Sequence, residues 1–454
     1  MRSRRRERTG GCSRRVGPEL PAGTIGGCTR ARRTPETSRK WCRAPFFTTG
    51  RCVRSDPIII VGAGAAGLMA AIFAAGAGAP VVLLERTRDG GRKILISGGG
   101  RCNVLPSRLE ESRFVTASSP NAMRKMIRSW PLAEQRTFFE VELGVALALE
   151  PDSGKLFPVS NRAREVRDAL VAAAAARGAE LRGEHSVVGV RRLGDAFEVE
   201  LENRPPLRAA AVILATGGLS VPNTGSDGTG LRIAGELGHE LRPTYPALTP
   251  LVQEPARYRE LAGVSCTATL SAGRTTSRGG FLFTHRGFSG PSVLDVSHVA
   301  TRDGGDIHVQ WTERTRQEWE EMLRPQRAGV AGVLRRHLPA RLADALMADA
   351  GIPAERSLAD LRAAERRAIV ESLTRWRLPW TGHEGYRKAE VTGGGVDLGE
   401  VDPRTMQSRR CPGLFLCGEM LDAFGPIGGY NFLWAWATGR AAGLGALTAT
   451  GVFR

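Results

Sequence analysis

The chain has 454 residues, 42% hydrophobic and 24% charged, with 56 glycines, which excludes a small disulfide-stapled module and a disordered or collagen-like chain. Its formal charge is +18, but +12 of this falls in residues 1–55 and only +6 in the remainder. With no nucleic-acid-binding motif beside the charge, and only five lysines in the chain, the Arg excess reads as compositional bias and no specific nucleic-acid partner is expected.

Residues 1–54 are rich in Arg, Gly, Pro, Ser and Thr, lack helical or strand periodicity, and are set aside from the fold. They fit an acid-poor targeting segment, a disordered basic arm, or a non-native upstream extension with translation starting near Val53; the last is preferred. Cys12, Cys28, Cys42 and Cys52 show no C-x2-C spacing, so no metal site is expected. Cys102, Cys266, Cys411 and Cys417 are widely spaced and fit unpaired thiols of a reducing cytoplasm. No apolar run is long enough for a membrane span.

The first clear element is Ile58-Ile59-Ile60-Val61, an apolar strand that runs directly into Gly62-Ala63-Gly64-Ala65-Ala66-Gly67 and an Ala-rich helix through Ala75. In a G-x-G-x-x-G turn the first glycine permits the bend, the second admits a pyrophosphate against the backbone, and the third lets helix and strand pack closely. The second strand, Val81 to Leu84, ends in Glu85, an acid placed to accept from a ribose 2′-hydroxyl. Together these predict a dinucleotide site lined by Gly62, Gly64, Ala66, Gly67 and Glu85.

Further glycine-rich bends follow. Gly91 to Asn103 sets three glycines among cations, Ser97 and Asn103, a suitable cradle for phosphate and polyol, with Ile94, Leu95 and Ile96 expected to be buried; a flexible surface loop is the alternative. Ala211 to Gly218 is an apolar run ending at Thr216 and Gly217, and Gly413 to Glu419 repeats the pattern before Asp422. Gly428-Gly429-Tyr430-Asn431 then opens a helix expected to reach Ala442. Strands from both ends of the chain that aim glycines at one ligand describe a discontinuous FAD-binding domain better than a contiguous NAD domain.

Between these parts, residues 245–311 read as short alternating strands, such as Val264 to Ser271 and Phe281 to Phe283, and residues 312–384 read as helical, with Ser357 and Asp360 as a helix-start signal. The expected architecture is therefore α/β: a Rossmann-like FAD-binding domain in two parts, residues 55–244 and 385–454, with a β-rich insertion and a helical subdomain. His285, in Phe281 to Pro291, is a candidate proton donor on a substrate wall, or a turn histidine bonded to backbone. Cys102 follows a cation in the cofactor loop and is a candidate stabilised thiolate, or a packing residue.

The segments Gly62 to Gly67, Gly91 to Asn103, Ala215 to Asp227, Phe281 to Pro291 and Gly418 to Asn431, in this order, resemble the YhiN/HI0933-like flavoprotein family, described as NAD(P)/FAD-dependent oxidoreductases and aminoacetone-oxidase-like FAD-binding proteins. The resemblance covers residues 56–450; residues 423–427 depart from the acidic stretch common in the family. It implies non-covalent FAD, with Gly62, Gly64 and Gly67 at the pyrophosphate and Glu85 at the adenosine ribose. Arg92, Lys93, Ser97, Gly98, Gly99, Arg101 and Asn103 would line the phosphate and ribityl channel. Gly418, Glu419, Asp422, Gly429, Tyr430 and Asn431 would close over the ribityl and the ring.

The implied activity is hydride transfer between a small organic substrate and FAD. A second nucleotide fingerprint is missing, so NAD(P)H would be a transient reductant; a flavin oxidase of an amine-type substrate would instead make hydrogen peroxide without it. A flavin-bearing RNA- or partner-binding protein is the third alternative, and predicts affinity that collapses with salt.

Overall fold

The computed structural model describes residues 56–75 and 79–451, so the leader and the readings made of it lie outside the described residues. Five strands form a parallel sheet in the order Leu414–Leu416, Ala211–Leu214, Ile58–Val61, Val81–Leu84, Ala179–Arg182. The first four of these are buried at every residue, which their unbroken apolar sequences require. Strand order reverses between Ile58–Val61 and Ala211–Leu214, and a ligand crevice belongs at the carboxyl ends of those two strands. The first and last strands of the described chain thus share one sheet, Ile58–Val61 at its centre and Leu414–Leu416 at one edge, as the glycine pattern suggests.

Helix Ala65–Ala75 leaves the first strand and packs against the C-terminal helix Tyr430–Ala449 through small residues. A Cβ on Gly439 or Gly443 would lie 2.4 Å from the carbonyl oxygen of Ala66 or Ala70, so the glycines set the helix separation. This helix was expected to stop at Ala442 and instead runs to Ala449. Gly443 and Gly445 are packing residues here: a Cβ on Gly445 would meet the Thr405 carbonyl oxygen at 2.3 Å.

The excursion between the two parts of the parallel-sheet domain leaves and returns through an antiparallel ribbon, Leu241–Ala247 against Val391–Val396. Beyond it, seven short strands form an antiparallel sheet whose centre is Ser265–Ala272 paired with Thr275–Phe283. Helices Arg316–Met322, Val330–Leu334, Ala340–Asp349 and Ala363–Arg375 bury one common core with that sheet. Trp311 sits in the middle, with ring centroids 5.0 Å from Phe281 and 5.3 Å from Trp376. The helix expected to start at Ser357 starts at Ala363, where Glu365 accepts from the Arg362 N–H at 3.0 Å. Ser357 and Asp360 instead close a turn on each other, the Ser357 Oγ–H donating to Asp360 at 2.6 Å.

One buried polar series braces the parallel-sheet domain. His239 lies between Glu400 and Ser408, both 2.9 Å from its ring nitrogens, and Ser408 Oγ also accepts from the Cys411 N–H at 2.8 Å. All three side chains are buried, and burial holds His239 below the ordinary histidine pKa, so the series is a hydrogen-bonded strut between loops.

Candidate functional site

The carboxyl ends of the parallel strands open on a cavity of about 350 Å³. Gly62 turns the chain there with φ +97, and a Cβ at that position would lie 2.8 Å from the Ala215 carbonyl oxygen. Gly64 lines the cavity and has nothing within 4 Å of a Cβ position, so the missing side chain is open room beside the first N–H groups of helix Ala65–Ala75. Gly67 faces the other way, onto the Gly62 carbonyl, and serves the packing. Glu85 is held by three donors: Ala63 N–H at 2.8 Å on Oε2, and Thr87 N–H at 2.8 Å and Oγ–H at 2.7 Å on Oε1. Its remaining lone-pair capacity faces a cavity that it lines.

The middle of the cavity is built by helix Arg92–Ile96 and the turn Ser97–Gly100, in which Gly98 and Gly99 adopt positive φ. Lys93 crosses to the opposite wall, where its Nζ donates to Ser220 Oγ and Glu419 Oε2, each at 2.7 Å. Glu419 Oε1 in turn accepts from the Ser220 hydroxyl at 2.5 Å and from the Thr392 N–H at 3.0 Å. This network ties helix Arg92–Ile96 to the strand Val391–Val396 and to the C-terminal part of the domain. Replacing Lys93 by Met removes a charged hydrogen bond of about 1.5–3 kcal/mol, and flavin affinity is expected to fall roughly tenfold or more. Titration of the apoprotein with FAD measures it; unchanged affinity would remove Lys93 from the site.

At the far end, Asn431 closes the loop before the C-terminal helix, its Oδ1 accepting from Gly425 N–H and its Nδ2 donating to Gly425 O, both at 2.9 Å. Gly429 caps that helix at φ +90, where a Cβ would strike Leu105 backbone at 2.5 Å. Phe424, Ile427 and Gly428 complete this wall.

Of the residues singled out in the sequence, the cavity brings together Gly62, Gly64, Ala66, Glu85, Arg92, Lys93, Ser97, Gly98, Gly99, Asn103, Thr216, Gly217, Gly418, Glu419, Gly429 and Asn431. Gly67, Arg101, Asp422 and Tyr430 stand behind it. Arg101 pairs with Glu150 at 2.9 Å and lies over the Phe157 ring at 4.0 Å. Asp422 is buried and accepts from Ala117 N–H at 2.9 Å and Ser118 Oγ–H at 2.7 Å, anchoring that loop. The Tyr430 hydroxyl donates to the Arg108 carbonyl at 3.1 Å.

Neither candidate for chemistry lines the cavity. Cys102 is fully buried and its thiol is pushed up to about 12, chiefly by burial, so it is a packing thiol at neutral pH. His285 is exposed at a turn that the Thr284 N–H closes on Gly287 O at 2.8 Å, because Phe281, Phe283 and Phe288 around it are drawn into the antiparallel sheet's core. The segment 281–291 therefore does not wall the cavity. Ile94 is buried as expected, whereas Ile96 is 52% exposed and its surface belongs to the cavity lining. Ser220, Thr392 and Glu390 were missed; the signal was Val391-Thr392-Gly393-Gly394-Gly395-Val396, another glycine-rich strand. Its glycines let it pass where a Cβ on Gly393 would meet the Tyr245 ring at 2.3 Å.

His298, behind Phe424 with ring centroids 5.6 Å apart, is held at about 4, mainly by burial and then by Arg302. The folded protein thus refuses a proton that the unfolded chain takes up near pH 6.5, so stability is unaffected above that value. It is expected to fall as pH drops from about 6.5 to about 4, by roughly 3 kcal/mol from this group. Urea midpoints across that range, flatter in His298→Phe than in the parent, measure it; identical slopes would remove His298 from the effect.

Open room at Gly64 and Gly99, helix N–H groups, cations and apolar surface on one cavity fit an elongated ligand with anionic and aromatic parts. Among the described residues no helix is long and apolar enough to cross a membrane. The family model described as the HI0933-like protein Rossmann domain matches residues 56–445. The chain is 35% identical over 394 residues to the ribosomal RNA dihydrouridine synthase of Escherichia coli (strain K12), covering 84% of this chain and 96% of that one. It is 31% identical over 407 residues to the protein of the same name in Haemophilus influenzae, covering 85% and 97%. It is 30% identical over 409 residues to a 3-dehydro-bile acid delta(4,6)-reductase of Clostridium scindens, covering 85% and 98%. The glycine-built crevice and these matches lead to one conclusion: the chain belongs to the HI0933-like family and is an enzyme of the flavin-dependent oxidoreductase class.

Proposed function

We propose that this chain holds FAD non-covalently across the switch point and uses it to saturate a carbon–carbon double bond conjugated to a carbonyl, with uracil in ribosomal RNA as the substrate and NAD(P)H as transient reductant. The observation that carries the reading is the continuous cavity from Glu85 to Phe424, lined by both chain ends, in a protein 35% identical along most of its length to a ribosomal RNA dihydrouridine synthase. A uracil ring and a 3-keto steroid with conjugated double bonds present the same reducible unit, so one site chemistry accommodates the names of both kinds of relative.

In this reading Gly62, Gly64, Ala66 and Glu85 hold the adenosine diphosphate part, Arg92, Lys93, Ser97, Gly98, Gly99 and Asn103 the pyrophosphate and ribityl, and Thr216, Gly217, Gly418, Glu419, Gly429 and Asn431 the remainder. Bound FAD supplies a hydride acceptor and donor. The helix beginning at Tyr430 directs its unpaired N–H groups and positive dipole end towards the cavity, which favours negative charge there. The overall charge of +18 suits a polyanionic substrate, although most of it lies in residues 1–55. A small-molecule enone is the second reading, favoured by the bile-acid reductase relative.

The test is to incubate purified flavin-loaded protein and NADPH or NADH with unmodified ribosomal RNA transcripts, and separately with a 3-keto-4-ene steroid. Dihydrouridine in the digested RNA, detected by its two-hydrogen mass gain, is the expected result. Reduction of the steroid alone would select the second reading, and peroxide formation with neither reduced would overturn both.

A further inference from the structure

Reduction of a conjugated double bond needs a proton as well as a hydride, and neither His285 nor Cys102 is placed to provide one. Among the described residues, one ionisable side chain at the cavity is otherwise unused. Glu390 lines the cavity beside Val391, at the ring-side end bounded by Phe424, Ile427 and Gly428. It has a large accessible surface, yet protein surrounds it almost as completely as a core residue. Those two facts agree when the exposed surface faces the cavity itself. The backbone of Glu390 is fixed by its N–H, which donates to Leu248 O at 3.1 Å. Its carboxyl group has no protein hydrogen-bond partner among the described residues, in contrast to Glu85 and Glu419, each of which accepts at both oxygens.

We infer that Glu390 is the proton donor of the site, presenting a protonated carboxyl to the substrate carbon adjacent to the carbonyl. This rests on the double-bond reduction proposed above. With bound FAD supplying a hydride at the expense of the nicotinamide reductant, the substrate π bond would break as a C–H bond forms at the carbon remote from the carbonyl. The Glu390 O–H gives its proton to the other carbon, leaving a carboxylate that solvent reprotonates, so the net change is addition of two hydrogens at the expense of the reduced nicotinamide.

The surroundings favour the protonated form of the Glu390 carboxyl. Burial raises its pKa; Lys155, on strand Lys155–Pro158, opposes that; Asp295, on helix Pro291–Asp303, raises it further; Lys93 opposes it more weakly. The other acids on the same cavity are engaged: Glu419 pairs with Lys93, Asp227 with Arg86, and Glu85 accepts from Ala63 and Thr87. Asp295 is itself pushed up by burial, against its hydrogen bonds from Ile427 N–H at 2.8 Å and Ser277 Oγ–H at 2.8 Å and its ion pair with Arg113 at 3.3 Å. A carboxyl whose protonated form is favoured by its site is suited to general-acid work.

The experiment compares the parent, Glu390→Gln and Glu390→Asp as flavin-loaded proteins. FAD affinity and the rate of reduction by NAD(P)H are measured on all three, so that a loss in reoxidation is separated from a loss of cofactor. Infrared difference spectra across a pH titration should show in the parent a protonated-carboxyl band that persists above the ordinary glutamate range and is missing in Glu390→Gln. Reoxidation of the reduced protein by whichever acceptor, RNA uracil or enone, the parent reduces should slow by roughly 100-fold or more in Glu390→Gln, with partial recovery and an altered pH profile in Glu390→Asp. An absent band, or a Gln variant that is reoxidised at the parent rate, overturns the inference. A parent that reduces neither acceptor overturns the proposed function instead, and the two failures are told apart by the parent's own activity.

Discussion

Gly67→Val is expected to yield a protein that cannot retain flavin and is severely destabilised, whereas Gly64→Val should fold normally and lose only the flavin. The Cβ of any residue at 67 would sit 1.9 Å from the Gly62 carbonyl oxygen, far inside contact distance, and both atoms belong to backbone that has no room to retreat. Strand and helix must separate, at about 3 kcal/mol or more, and the cradle formed by Gly62 to Ala66 is displaced with them. At Gly64 the same added atoms enter empty cavity, with no protein atom within 4 Å of the Cβ. The two glycines of one motif are therefore separable, one by thermal stability and the other by the ratio of flavin absorbance to protein. A Gly64→Val protein that keeps wild-type affinity for FAD would show that the cavity is not the cofactor site.

The second large effect is at Gly443. Helix propensity alone favours Ala over Gly by about 1 kcal/mol in a helix interior, and would make Gly443→Ala stabilising. Packing dictates the opposite sign: the new Cβ would lie 2.4 Å from the Ala70 carbonyl oxygen and 3.1 Å from the Ala74 nitrogen. The helices can part only by opening the core that holds Trp434 and Trp436, both at most 1% exposed. Gly443→Leu is expected to lose several kcal/mol, and Gly443→Ala to melt below the parent in spite of its propensity. Thermal melts of the two variants measure this, and a raised melting temperature for Gly443→Ala would show that the helices are not in contact as described.

Much of the parallel-sheet domain is legible because its signals are local. Ile58–Val61, the glycines after it and Glu85 lie within 28 consecutive residues, and each constrains its neighbours in a way only a strand, turn and helix satisfy. The far wall of the cavity is not local. Glu390 and Val391 reach it because Val391–Val396 pairs with Leu241–Ala247, about 150 residues earlier in the chain, and no nearby pattern announces that register. Phe281 to Pro291 misleads for a related reason. Its glycines and aromatics look like a ligand wall, but Phe281 and Phe283 alternate inward onto Trp311, so the motif is spent on the insertion's core and His285 is left at its rim. At the end of the last helix, Gly443 and Gly445 carry the ordinary mark of a helix stop, and tertiary contact overrides it.

The strand Leu414–Leu416 is the neighbour of Ala211–Leu214, yet it is synthesised about 200 residues after it. At roughly 5–20 residues per second, a growing polypeptide leaves one sheet edge of apolar residues uncovered for about 10–40 s before its partner emerges. The crevice is therefore incomplete until Leu414–Leu416 has been made and docked, and shortening the protein to before Leu414 would leave a sticky half-sheet in place of a smaller working enzyme.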